Sequence, residues 1–585
     1  NNKNGKHMKL KTLALACAST FVVGCATQHT SSVNQAPAAE LSTPYTLKSG
    51  GEISERQKHL SISHAKLAFS FDFDKEILFG DTTLTLQAPS PQQEISVDLD
   101  TRFAIESVWL NGTELPAEQF SNLEGELIVS PNSSVAFPAT LRIVYSGHPR
   151  TPIRAPWDGG VMWEETPDGH PWLATAVQGE GCDLFWPCID QPYGEPANTE
   201  LFITVPKPLV AASNGVLVAT EEKGNDRTFH WQTKSMHNTY GIALNIAPYE
   251  KLTKSFTSIY GNTYPLTYYH LPENEEKAEA LFAELPEMIT FFERMIGPYP
   301  FANEKVGIVQ TPHLGMEHQT INAYGNEYRK DDAGYDWLMQ HEFAHEWFGN
   351  QLTNDNWDHM WLHEGFGTYM QPLYAQYLHG NEAYFVKLNA QRKGLANAHP
   401  IVSNELMSEE DVYEKGPAGD IYAKGSWVIH TLRGLMGDEP FFRSVTELVY
   451  GRVDPQPGNF EPIFANTQDF IDIVNKNSEH NLDWFFDVYI FSAALPILDV
   501  ARTENEVTFT WKTEGDLPFP MPLEVSVNGK VTTLDMQNQT SLMVTEYDVV
   551  VADPNSKVLR YEQRFEDYKA WQEAQAEMRK KQTEK

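Results

Sequence analysis

Two histidines four residues apart, His341 and His345, enclose a glutamate in the pattern His341-Glu342-Phe343-Ala344-His345. Positions i and i+4 of a helix lie one above the other on a single face, so both imidazoles reach one metal ion while Glu342 points beside it. A carboxylate next to a metal is placed to take a proton from water, which is the chemistry of metal-assisted hydrolysis. A catalytic zinc takes three protein ligands and keeps a fourth position open, so a third donor is required. Glu364 supplies it, nineteen residues after His345 in Trp361-Leu362-His363-Glu364-Gly365-Phe366-Gly367-Thr368-Tyr369, a stretch suited to a second helix after a turn through Gly349 to Asp355.

Elements of several kinds must position these residues. The chain has 585 residues, several times the usual domain size, so more than one packed unit is expected. Alternating runs such as Lys66-Leu67-Ala68-Phe69-Ser70-Phe71-Asp72-Phe73 and Thr82-Thr83-Leu84-Thr85-Leu86 predict strands from about Leu60 to Pro248. Beyond Pro272 the period becomes helical. Ala280, Leu281, Phe282, Leu285, Met288, Ile289, Phe292 and Met295 form one apolar face closed by Gly297-Pro298, and helices are expected to continue to about Phe491. Alternation returns from Leu495 to Tyr561, with Asn528-Gly529 as a hairpin turn, and the charged final residues read as an exposed helix or tail. The units expected are a leader and signal at 1–25, a linker at 26–50, an N-terminal β domain at 51–250, a catalytic domain at 251–492, a β domain at 493–561 and a tail at 562–585.

From His341 to Tyr369 the chain resembles the M1 family of metallo-aminopeptidases, which carry His-Glu-x-x-His and a distal zinc-binding glutamate on two helices. Upstream, Leu314-Gly315-Met316-Glu317-His318 is similar to the family's exopeptidase motif, with Leu314 in place of the first glycine and His318 in place of the asparagine. The resemblance implies that Glu317 holds the free α-ammonium of a peptide, with Gly315, Met316 and His318 beside the substrate. Gln178-Gly179-Glu180-Gly181 resembles the N-domain segment that lends a Gln or Glu to that amine site, with Gln178 preferred over Glu180. Tyr422-Ala423-Lys424-Gly425 resembles the family's Tyr-x-Lys-Gly, whose phenol hydrogen-bonds the oxyanion. The same pattern at Tyr413-Glu414-Lys415-Gly416 is set aside, because the apolar helical run from Trp427 to Leu432 follows Tyr422 as in the family. Asp358 and Thr368 could orient the zinc ligands from behind, but surface or capping roles are the expectation for both.

The resemblance further implies a multidomain α+β fold with an N-terminal β-saddle, a thermolysin-like, mainly helical catalytic domain and a small C-terminal β-sandwich. The large C-terminal helical domain of many members is not expected. One Zn2+ per chain and hydrolysis of the N-terminal peptide bond follow as expectations, with Glu342 as base. The rivals are an epoxide hydrolase on the same fold and a non-catalytic zinc-holding envelope protein. The joint presence of Glu342, Glu317 and Tyr422 argues against the latter.

Composition bounds the partners. With 79 acidic against 44 basic residues the net charge is -35, which phosphate backbones and anionic headgroups repel, so no nucleic acid is expected. Met8-Lys9-Leu10-Lys11 and the apolar run Leu13 to Val23 read as a secretory signal too short to span a bilayer in the mature protein. Val22-Val23-Gly24-Cys25 resembles the lipobox of bacterial lipoproteins. A lipid anchor on Cys25 is therefore the one membrane contact expected, and Ala26 after it implies an outer-membrane lipoprotein facing the periplasm of a Gram-negative bacterium. In that compartment Cys182 and Cys188 can form a local disulfide.

Overall fold

Apolar residues at alternate positions drive the first half of the chain into sheets, because every second side chain of a strand faces one side. In the computed structural model, which describes residues 48–583, strand Ser61–Asp72 lies at the centre of an eight-stranded sheet. It pairs antiparallel with Ile77–Gln87 and parallel with Thr199–Pro206, burying Ala65, Leu67 and Phe69. A four-stranded sheet orders Val210–Ala212, Asn245–Ala247, Pro171–Ala176 and Gly160–Glu165, and a three-stranded sheet adds Ile95–Asp98, Glu126–Val129 and Phe120–Ser121. Cys182 and Cys188 are disulfide-bonded in the segment that follows Gln178. The proposed signal, Cys25 and nearly all of the linker lie outside the described residues.

The middle of the chain is mainly helical, as expected, and it also holds a sheet that the helical period beyond Pro272 does not mark. A five-stranded sheet runs Glu250–Thr257, Thr263–His270, Val306–Gln310, Asn322–Tyr324, Gly315–Met316, the last an edge strand of two residues. Strands this short show no period, and Val306–Gln310 is buried on both faces, so its apolar run does not alternate. The single helix expected through Met295 is two, Glu275–Phe282 and Leu285–Met295, with Pro286 in the first turn of the second, where its missing N–H costs nothing. Helix Trp337–Ala344 packs on the strands Asn322–Tyr324 and Gly315–Met316, and Trp361–His379 packs on that helix and on Asn381–Arg392 and Ala423–Met436.

Two three-stranded sheets follow, Ile497–Arg502, Glu506–Lys512 and Gln539–Met543, then Lys530–Leu534, Leu523–Val527 and Val550–Ala552. Val507, Phe509 and Trp511 of one and Leu523 and Val525 of the other are buried. Val527 pairs with Lys530 across Asn528 and Gly529, whose φ values of 53 and 85 are those of a tight hairpin turn. The charged end forms helix Gln563–Thr583. No helix among the described residues is long and apolar enough to cross a membrane.

Candidate active site

Asp336 starts the helix that carries the first two candidate ligands: its carboxylate accepts from the backbone N–H groups of Leu338 and Met339 at 3.0 and 3.1 Å. The helix ends at Ala344, but His345 keeps helical φ and ψ as its cap, so the His341 and His345 rings share a face. His345 Nδ1 lies 2.7 Å from the carbonyl of Phe348, a donor contact that leaves Nε2 free to ligate. Glu364 stands in the first turn of the helix Trp361–His379. Three residues on, Gly367 faces the imidazole: a Cβ there would lie 3.1 Å from His345 Cε1.

His345 Nε2 is 3.3 Å from His341 Nε2, and Glu364 Oε2 is 3.4 Å from His345 Nε2 and 3.7 Å from His341 Nε2. A tetrahedral metal with bonds of about 2.0–2.1 Å sets its ligand atoms about 3.3 Å apart, so the three fit such an ion. Glu364 Oε2 is buried and has no hydrogen-bond partner among the described residues, as suits a ligand atom. Burial pushes the His341 pKa down to about 4, with His345 adding to the fall. Burial also lowers His345, but Glu364, Glu317 and Glu342 outweigh it and hold its pKa up to about 10.

Glu342, 7% exposed, lies beneath the edge strand. A Cβ on Gly315 would come within 2.6 Å of Glu342 Oε1, so only glycine lets the strand pass this close to the carboxylate. Ligand atoms of Glu317, Glu342 and His345 all fall within 4.8 Å of one another. Glu317 Oε1 accepts from Gln178 Nε2 at 2.9 Å and from Tyr240 OH at 2.9 Å, both from the N-terminal half of the chain. Its backbone carbonyl accepts from Asn350 Nδ2 at 2.9 Å. Burial raises the carboxyl pKa of Glu317, and that of Glu342 further, with Glu317 as the next cause at Glu342. Three carboxylates, Glu317, Glu342 and Glu364, therefore surround a small volume that calls for cations.

The turn after Glu317 is held by Glu346, the residue after the second histidine. Its carboxylate accepts from Thr320 N–H at 3.1 Å, Asn322 Nδ2 at 3.2 Å, Asn350 Nδ2 at 3.0 Å and Tyr299 OH at 2.6 Å. Thr320 has φ 61, a conformation costly for a β-branched residue, which these bonds maintain.

Tyr422 precedes the helix Ala423–Met436, and its hydroxyl is 2.8 Å from that of Tyr413, so the two rival tyrosines meet. Gly425 explains the last letter of its motif: a Cβ there would stand 3.0 Å from Gly365 Cα, where two helices cross next to Glu364. Met316 is buried on the edge strand. His318 is fully buried with both ring nitrogens unpartnered among the described residues, and burial, then His313 and His237, hold its pKa well down. Glu180 pairs with Arg150 at 3.3 Å and accepts from Gly159 N–H. Asp358 is buried and accepts from Ser403 N–H and Oγ and from Asn404 N–H, which corrects the expected surface role, and no hydrogen bond among the described residues joins the Asp358 or Thr368 side chain to the three-residue cluster. Tyr240, Glu346, Asn350 and a further buried acid, Glu409, were not marked by any sequence motif.

Comparison with known proteins settles the kinship. Residues 284–489 match the Peptidase family M1 domain, and residues 61–240 match the Peptidase M1 N-terminal domain. The chain belongs to peptidase family M1. It is similar to a leucyl aminopeptidase of Saccharolobus solfataricus, 23% identical over 67% of this chain and 50% of the relative. It also resembles a probable aminopeptidase 2 of Sulfurisphaera tokodaii, 21% identical over 82% of this chain and 60% of the relative. The chain thus spans about half the length of these family relatives. Among solved structures, a mutant M1 zinc metallopeptidase from Deinococcus radiodurans bound to a Tyr-Ser-Ala substrate shares the fold, with TM-score 0.63 and 21% identity over 77% of this chain and 98% of that one.

Proposed function

We propose that this chain is a zinc-dependent aminopeptidase that hydrolyses the first peptide bond of substrates with a free N-terminus. The observation that carries this reading is Glu317, gripped by Gln178 and Tyr240 and placed with Glu342 beside the three-ligand cluster. His341, His345 and Glu364 would hold one zinc, which when bound polarises the scissile carbonyl and acidifies water. Glu342 accepts the proton of the attacking water on its carboxylate and hands it to the departing amine. The Tyr422 hydroxyl donates to the carbonyl oxygen as that atom gains charge, and Tyr413 holds the hydroxyl in place. Glu317 accepts from the α-ammonium, a charge-assisted contact that lets only the first bond reach the base.

The charges support this reading. Three carboxylates balance a divalent ion and one ammonium. The relatives named as aminopeptidases and the peptide-bound family member agree with it. Nothing in the geometry favours epoxide hydrolysis or a non-catalytic zinc holder. On the same reading the N-terminal sheets form the family's β-saddle, the middle unit the thermolysin-like catalytic domain, and the last two sheets a β-sandwich.

The experiment is a pair of variants. Glu342→Gln should keep its metal and lose roughly 100- to 10,000-fold in turnover, since the amide cannot accept the proton. Glu364→Ala should lose the metal itself. Near-normal turnover of Glu342→Gln, or full metal content in Glu364→Ala, would remove the residue from its role. We also propose export with lipid attachment at Cys25 and retention at the outer membrane, from the signal and lipobox. A mature N-terminus other than a lipidated Cys25 in mass spectrometry would refute that placement.

A further inference from the structure

One buried carboxylate near the site has no task in this reaction. Glu409 opens the short helix Glu409–Glu414, is 7% exposed, and no hydrogen bond or ion pair reaches its carboxylate among the described residues. Its backbone is fixed: the N–H donates to the Ser49 carbonyl at 3.0 Å, and Ser408 Oγ caps the helix by accepting from Asp411 N–H. The position of the side chain follows from its neighbours. Glu409 and Tyr413 are four apart on one helix face, and Tyr413 touches the Tyr422 hydroxyl. From the opposite side the Gln178-Gly179 segment approaches, and Glu409 Oε2 lies only 3.3 Å from where a Cβ on Gly179 would stand. The carboxylate therefore sits on the helix that carries Tyr413, against the turn whose Gln178 grips Glu317.

The cations nearby are engaged elsewhere. Arg150 pairs with Asp158 and Glu180, and Lys48 faces Glu410 and Asp411. Glu409 faces more negative charge instead. Burial first, then Glu180, Glu364, Glu410 and Glu317, push its pKa up to about 8. An unpaired buried carboxyl is costly, and folds keep one where a ligand completes it.

We propose that Glu409 is a specificity residue that receives the cationic side chain of an N-terminal lysine or arginine, so that peptides beginning with a basic residue are the preferred substrates. This rests on the aminopeptidase reading above. Glu317 takes the α-ammonium, and Glu409, across Gly179 from Gln178, takes the charge at the end of the first side chain. The acid at 409 and the tight glycine at 179 act as one device, since any side chain at 179 would crowd the carboxylate.

The test compares lysyl with norleucyl fluorogenic amides, which differ by the ammonium alone. In the wild-type protein the lysyl substrate should have the higher kcat/KM by roughly 10- to 100-fold, the range of one charge-assisted contact. Glu409→Gln should bring that ratio to about 1–3, and Glu409→Asp should keep part of the preference. A wild-type ratio near one overturns the proposal without any variant. An equal fall of both substrates in Glu409→Gln also overturns it, because it would put Glu409 in the amine grip or in the fold. Failure to cleave any aminoacyl substrate would strike the aminopeptidase reading itself, whereas cleavage without basic preference strikes Glu409 alone.

Discussion

Gln178 and Tyr240 deliver two donors to a single oxygen of Glu317, which fixes the carboxylate before any substrate arrives. Preorganisation of this kind lowers the ordering cost of binding. Gln178→Ala should therefore raise KM for free-amine substrates by roughly 10-fold, the worth of a hydrogen bond to a charged group, with metal content unchanged. Steady-state kinetics with elemental analysis checks this, and an unaltered KM would detach Gln178 from the amine site. At this scale the sequence was informative where spacing along one helix does the chemistry, as for His341, Glu342 and His345. Glu364 is legible through its place in the segment Trp361 to Tyr369, although the strand Leu352–Asn354 and a short 3-10 turn separate it from His345. Tyr240, Glu346 and Glu409 were not, because each reaches the site through a tertiary contact that leaves no local pattern. Tyr413 was set aside as a rival of Tyr422, and its hydroxyl turns out to be that residue's partner.

Among the elements, the crossing of Trp361–His379 over Ala423–Met436 sets the distance between Glu364 and Tyr422. Gly365 and Gly425 make that crossing backbone to backbone, so its geometry has no flexible side chain to absorb an insertion. Gly425→Val should destabilise by roughly 1–3 kcal/mol, the usual cost of overpacking, and should lower turnover more than metal affinity. Thermal unfolding and zinc titration of the same sample test this; a variant with wild-type melting and turnover would show that the contact has slack. The helices were readable from their apolar period, and the hairpin from Asn528-Gly529. The edge strand Gly315–Met316 was not, since two residues carry no period, and its neighbours matter through backbone pairing with Tyr324 and Ala323. The break before Pro286 was written in the sequence but masked by an apolar face that continues across it.

Across the whole molecule, the site is shared between halves. The proposed ligands and base come from the helical unit, whereas Gln178 and Tyr240 come from the β-rich N-terminal unit. The two are locked by Asn214 Nδ2 to the Gln319 carbonyl at 2.8 Å, by Gly215 N–H to Thr320 Oγ1 at 2.9 Å and by Lys305 Nζ to the Ser213 carbonyl at 2.9 Å. The first two of these bonds end on the turn that follows Glu317, so the inter-unit contact and the proposed amine anchor are neighbours. Without Glu317 the proposed zinc ligands and base would act on amides anywhere along a chain; on the proposed reading this anchor, steadied by Gln178 and Tyr240 of the N-terminal unit, restricts them to the end. The direct test is to offer one peptide in two forms, free and N-acetylated, to the zinc-loaded protein. The account predicts cleavage of the first bond of the free peptide and a rate for the acetylated form lower by roughly 100-fold or more, because acetylation removes both the charge and the donors that Glu317 accepts. Equal rates on the two forms, or cuts at internal bonds, would contradict it.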